Sequence, residues 1–174
     1  MMRKKTFSYS KSKQKQMALQ FLGLGALGAV MALYMWLWAD PIILAVLVGG
    51  IFLAVLGIVV FFKLQFAPKK EHETAIHISD EGIRANTSPI AKAASLIAWE
   101  DVENIYFSTK LIDVKLKNPE KYAARMKSFF VRDTFLKSLK GTVRISYIET
   151  NATYDELTAT LTEYAAKNSF SLSQ

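Results

Sequence analysis

Cysteine is absent from the 174-residue chain, which removes disulfides, thiolate nucleophiles and cysteine-ligated metals at once and fits a reducing compartment. Histidine occurs twice, at His72 and His77. The two stand without a plausible ligand set, so they read as surface polar residues and no metal site is expected. The chain also lacks a Gly-rich phosphate loop, a G-x-S-x-G, an H-E-x-x-H and a kinase signature. Two carboxylate pairs, Asp80/Glu81 and Glu100/Asp101, sit in turn-like contexts, where solvation explains them better than acid–base work or cation binding. These absences leave no support for catalysis: the expectation is a non-enzyme without a cofactor.

Charge is the next scarcity. From Met17 to Phe62 the only charged side chain is Asp40. The net charge of +7 is therefore unevenly placed. Residues 1–70 hold nine basic side chains (Arg3, Lys4, Lys5, Lys11, Lys13, Lys15, Lys63, Lys69, Lys70) against Asp40 alone, whereas residues 71–174 hold thirteen basic and fourteen acidic ones. The excess flanks the apolar stretch, where basic residues set membrane orientation and meet anionic headgroups. The remainder has no overall field to attract a polyanion, so nucleic acid is not an expected partner.

What fills the uncharged stretch is long apolar sequence. Met17 to Trp38 is a run of 22 residues, which as helix spans about 33 Å, enough for a hydrocarbon core of about 30 Å. Ile42 to Phe62 adds another 21. Only Ala39-Asp40-Pro41 separates them, with Pro41 suited to the first turn of the second helix. The reading is a two-span transmembrane hairpin over 17–62, after a basic cytoplasmic tail (1–16) and before a basic connector (63–70). A cleaved signal peptide would need a shorter apolar core and a small-residue cleavage site. A buried soluble hairpin would need a polar face that neither run has.

The basic flanks predict both termini on the cytoplasmic side. Tyr34, Trp36 and Trp38 at one end, and Phe61, Phe62 and Phe66 at the other, are placed as interfacial aromatics. Gly23, Gly25, Gly28 and Ala32, with Gly49, Gly50, Ala54 and Gly57, allow close backbone approach. That approach can be within the hairpin or between copies in a homo-oligomer, and the sequence leaves both open.

Residues 71–174 read as a separate α+β domain. Thr74 to Ser79 alternates and leads through Asp80-Glu81-Gly82 to Ile83, a hairpin signal. Ser95 to Trp99, Val102 to Phe107 and Leu111 to Leu116 carry the β-branched and aromatic residues of strands. Pro119 opens a short helix through Met126. Val143 to Glu149 forms a last strand, and Thr153 with Glu156 makes a capping box before the apolar period Leu157, Leu161, Tyr164 and Ala165. Strands followed by an amphipathic helix predict a strongly bent antiparallel sheet or small barrel capped at one end. Trp99 reads as a core anchor.

The segment Lys127 to Lys140 is open between helix, insertion and membrane-contacting element. Its aromatics Phe129, Phe130 and Phe135 are assigned first to the core. The alternative lays them on the bilayer, with Arg125, Lys127, Arg132, Lys137 and Lys140 meeting anionic lipid as Lys63, Lys69 and Lys70 do beside the spans.

The pattern I-x-I-S-D-E-G-I (Ile76 to Ile83), the I-x-W-E-D-V run (Ile97 to Val102), K-N-P-E-K-Y (Lys117 to Tyr122) and the terminal strand with its capped helix resemble a bacterial PH-like domain joined to two transmembrane helices. Small inner-membrane proteins of that type, largely uncharacterised, cover nearly the whole chain in this resemblance. It implies a cytoplasmic PH-like module at the bacterial inner membrane. Phosphoinositide-binding PH folds use basic residues in the first hairpin, and Asp80-Glu81 departs from that pattern.

The expected function is a membrane-anchored module that binds a protein or peptide at the cytoplasmic face. Small size and two spans also fit an envelope immunity or stress-protection protein. An accessory subunit of a membrane enzyme or transporter is a weaker fit, because the spans offer only Gln20 and Tyr34 as intramembrane polar groups.

Overall fold

The computed structural model describes residues 4–66, 68–71 and 73–173; Arg3 and His72 lie outside the described residues. The chain forms two compact units. One spans Ser10–Lys70, and the other joins the residues up to Tyr9 to those from Glu71 onward.

The hairpin unit consists of α1 (Lys11–Leu37) and α2 (Leu44–Phe66). At 27 and 23 residues these helices reach about 40 and 35 Å, and both are long and apolar enough to cross a membrane. Helix α1 begins six residues before the predicted Met17, because Ser10 caps it by accepting from the Lys13 amide at 3.4 Å. Helix α2 runs on to Phe66, so the connector expected at 63–70 begins later. Pro41 stands in the turn before α2 and not in its first helical turn, and the Asp40–Pro41 peptide is cis. Large apolar side chains cover the outside, among them Leu27, Val30, Trp36, Phe52 and Val59. The inside is built of glycine: Gly25, Gly28, Gly50 and Gly57 bring the two backbones together, while space beside Gly23 and Gly49 is open. Gln14, 1% exposed, closes the base of the hairpin. Its amide nitrogen donates to the Lys69 carbonyl at 3.2 Å and its oxygen accepts from the Lys69 amide at 2.9 Å.

The second unit is mixed α and β. Its first sheet runs in order β1 (Lys5–Ser8), β2 (Thr74–Ser79), β3 (Gly82–Ala85), β4 (Leu96–Ala98). The second contains β5 (Val102–Phe107), β6 (Leu111–Leu116) and β7 (Thr142–Ser146), with β8 (Ser171–Ser173) parallel to β5, in the order β7, β6, β5, β8. Helices α3 (Pro89–Ala94), α4 (Pro119–Ala123), α5 (Phe129–Asp133) and α6 (Tyr154–Asn168) complete it. Helix α6 starts as its capping box predicts: Thr153 Oγ1 accepts from the Glu156 amide at 3.3 Å and lies 3.1 Å from the Glu156 carboxylate.

The expected small barrel is not closed. A 3₁₀ turn, Trp99–Asp101, separates β4 from β5, which do not pair. The Ala98 amide donates instead to the Tyr122 hydroxyl at 3.2 Å. Trp99 turns inward, 3% exposed, and its ring stacks on Tyr164 and Phe170 at 5.1 and 5.3 Å. Its indole N–H donates to the Ser79 carbonyl at 2.8 Å. Ile76 and Ile83 of the first sheet, Ile105 and Val114 of the second, and Leu157 of α6 lie in one buried cluster with it.

A further correction concerns the N-terminal tail. Residues 5–9 are part of this unit. Strand β1 pairs antiparallel with β2, Thr6 opposite His77 and Phe7 opposite Ile76. Phe7 and Tyr9 are buried, and the Tyr9 hydroxyl donates to the Asn86 carbonyl at 2.8 Å. The hairpin is thus an insertion between two adjacent strands of one sheet.

Candidate functional site

Among the described residues no three His, Cys, Asp or Glu side chains are grouped to hold a metal. A concave feature with a strongly apolar lining lies between α3, the 129–139 segment and the β6–β7 pair. Its local origin is legible. Ser88 caps α3 by accepting from the Ala91 amide at 3.1 Å, and Pro89 fits the first helical position, where no amide partner is needed. The Ser88 hydroxyl is also within 3.1 Å of the Arg144 carbonyl, to which it donates across to the outer edge of β7. Opposite, α5 continues into a π-helical turn, Thr134–Ser138, pinned by the fully buried Phe135.

These elements enclose a groove of about 450 Å³. Ile90 and Pro89 form one wall, Phe130, Val131 and Leu139 the other, and Leu111 lies at the β6 end. Ser88, Thr134 and Ser146 supply hydroxyls. Arg144 adds no free charge, because its guanidinium holds the Asp113 carboxylate in two bonds of 2.9 and 2.8 Å across β6 and β7. A second hollow of about 510 Å³ shares Pro89 and Val131 with the first and is lined by Lys92, Arg125 and Lys127. The two hollows therefore adjoin, and the second has basic side chains in its lining.

Within 127–140 the core reading holds for one of the three phenylalanines. Phe135 belongs to the core. Phe129 and Phe130 do not: they are 62% and 80% exposed, meet edge to face at 5.9 Å, and lie on a helix that buries no residue. Phe135 lies in the π-helical turn that follows, and of the three phenylalanines it alone takes a core position.

The sequence-predicted basic residues are scattered in role. Lys63 lies in the last turn of α2, and Lys69 and Lys70 close the hairpin unit. Arg125 does structural work: Nη1 donates to the Ala94 and Leu96 carbonyls, both at 3.0 Å, and the guanidinium lies 4.4 Å over the Tyr122 ring. Lys137 pairs with Asp133 at 2.7 Å. Lys140 occupies a left-handed turn with φ of 48°. Lys127 and Arg132 remain exposed and without an ion pair among the described residues. Sequence reading missed Lys92, which joins Lys127 only through the fold; the Ser88-Pro89 start of α3 was the signal for its helix.

Asp101 is no solvated turn residue either. Lys121 Nζ and the Tyr122 hydroxyl each donate to its carboxylate at 2.7 Å. Burial works to raise the Asp101 pKa, but those hydrogen bonds and the neighbouring cations prevail and hold it below the usual carboxylate range. Tyr122 is pushed up to about 12, by burial first and then by the Asp101 carboxylate. This clasp fixes α4 to the 3₁₀ turn. Set against known proteins, the chain matches no family model, no curated protein and no solved structure.

Proposed function

We propose that this protein is a non-enzymatic binding module of PH-like type, anchored in the bacterial inner membrane by α1 and α2, that holds a protein or peptide segment in the groove between α3, the 129–139 segment and β7. The observation that carries the reading is the groove: its lining is overwhelmingly apolar, Ser88, Thr134 and Ser146 are among its residues, and it is large enough for a few side chains. Pockets of this kind bind by burying apolar groups, while a few polar groups fix orientation. Anchoring rests on the two long helices and their exposed apolar surface.

Placement of both termini on one side is supported by topology. Strands β1 and β2 pair directly and flank the hairpin in sequence, so both ends of the hairpin return to one folded unit. A hairpin has that property and a single span does not. The basic residues on both sides of it favour the cytoplasmic face.

The test is photocrosslinking of the full chain in native membranes. A photoreactive residue replacing Leu111, in the groove, should give one discrete protein adduct, and the same residue at the exposed Tyr106 should not. Val131→Arg, which fills the groove with a charged side chain, should abolish the adduct. Identical adducts from both positions, or none from Leu111, would overturn the proposal.

A further inference from the structure

The Phe129–Phe130 pair borders the groove, with Phe130 in its wall, but most of its surface is open to solvent. Two adjacent aromatics at 62% and 80% exposure are costly to leave in water, since each hides large apolar area when buried. They stand in the most basic part of their unit. Residues 125–140 carry five basic side chains against Asp133, while the rest of 71–174 carries eight basic against thirteen acidic. Lys92 of α3 adds to this side through the hollow it shares with Lys127. Apolar side chains projecting from a cationic surface are what a protein needs at a bilayer boundary: the aromatics enter the headgroup region while the cations meet lipid phosphates.

Covalent connection makes that encounter obligatory in kind. Tyr9 is the last residue of the mixed unit and α1 starts at Lys11. Only Lys11 to Gln16 precede the uncharged run, about 9 Å of helix. The unit is thus held near the bilayer, and the effective concentration of lipid surface is high for whatever face turns toward it.

We infer that Phe129 and Phe130 form a membrane-inserting wedge, with Lys92, Lys127 and Arg132 as its contacts to anionic lipid. The occupant of this surface is an anionic bilayer. Arg125, Lys137 and Phe135 have no part in it, because each is engaged within the unit. The inference rests on the proposed anchoring by α1 and α2 but not on a partner in the groove; Phe130 also lines the groove, so quenching at Phe129, which does not line it, reads the wedge separately.

The absence of cysteine makes the test clean. Phe130→Cys in the full chain, labelled with an environment-sensitive fluorophore, is reconstituted into nanodiscs of phosphatidylcholine or of equal parts phosphatidylcholine and phosphatidylglycerol, each with and without bromine-labelled acyl chains. Phe129→Cys serves as a second site and Tyr106→Cys as the reference. The wedge predicts blue-shifted emission and strong bromine quenching at both Phe positions in anionic discs, weaker quenching in zwitterionic discs, and little at Tyr106. Lys127→Glu with Arg132→Glu should lower the ratio of docked to undocked protein about fivefold or more. Water-like emission at both Phe positions would overturn the inference and leave the pair to a protein partner. Quenching indifferent to lipid charge or to the charge reversals would overturn the assigned role of the cations.

Discussion

Gly28 and Gly50 face each other backbone to backbone: a Cβ added to Gly28 would lie 2.7 Å from the Gly50 carbonyl oxygen, and one added to Gly50 would lie 2.8 Å from the Gly28 carbonyl oxygen. The mutual fit places these two glycines in the packing inside the hairpin, while Gly23 and Gly49 keep open space beside them. Gly28→Val should destabilise the hairpin by about 1–3 kcal/mol, the usual cost of overpacking. Gly49→Val, with open space around it, should change stability only by the small helix-propensity difference, which favours valine. Detergent-induced unfolding of the two variants, followed by helical circular dichroism, measures both. Equal midpoints would count against the assignment.

The N-terminal strand gives a second expectation. Phe7 is the buried side chain of β1, so Phe7→Ala should cost about 3–5 kcal/mol by leaving a cavity. Thr6→Ala removes an exposed methyl group and a hydroxyl that bonds the His77 ring at 2.9 Å and should change stability by about 1 kcal/mol or less. Hydrogen exchange on the full chain in nanodiscs would locate the loss in β2 and its neighbours. Unchanged protection in β2 would contradict the strand's role.

Trp99 carries two separable contributions. Trp99→Ala should lose about 3–5 kcal/mol as the stack with Tyr164 and Phe170 opens. Trp99→Phe keeps a ring but leaves the buried Ser79 carbonyl without its indole donor, at a cost of about 1–3 kcal/mol. Denaturant titration monitored by near-ultraviolet circular dichroism orders wild type, Phe and Ala; indistinguishable Phe and Ala variants would show that the hydrogen bond, not the stack, dominates.

The Asp101–Tyr122 clasp sets two limits on pH. Asp101 is more acidic folded than unfolded, so its contribution is present above the ordinary carboxylate range and decays as pH falls below about 4. Tyr122 moves the other way. Its folded pKa of about 12 exceeds the unfolded value of about 10, so its contribution is complete below pH 10 and is lost as pH rises toward 12. Tyr122→Phe should therefore flatten the alkaline limb of the stability profile while lowering stability at neutral pH. An alkaline limb unchanged in that variant would assign it to Tyr147 and Tyr164, whose pKa values burial also raises.

How much of this was legible in the sequence depends on the range of the interaction concerned. The two apolar runs, the 74–85 hairpin, the strands at 102–116 and the capped helix after Thr153 were readable because periodicity, turn chemistry and caps act over a few residues. Strand β1 was not. A four-residue strand beside six basic residues has no local signature, and it exists because β2, some seventy residues later, offers its edge. The barrel is not closed for a related reason: the chain leaves the sheet through the 3₁₀ turn at Trp99–Asp101, where Trp99 is buried against Tyr164 and Phe170, partners more than sixty residues away.

The sequence by itself determined that this chain has two spans fit for lipid, a basic excess placed beside them and an α+β unit without catalytic motifs, because composition and short-range pattern specify each of these. Only the tertiary structure decided which glycines pack, which phenylalanine is core and which two are exposed, and that Lys92 joins Lys127 beside a groove. Those outcomes depend on side chains far apart in sequence competing for the same buried volume, and no local pattern records who wins.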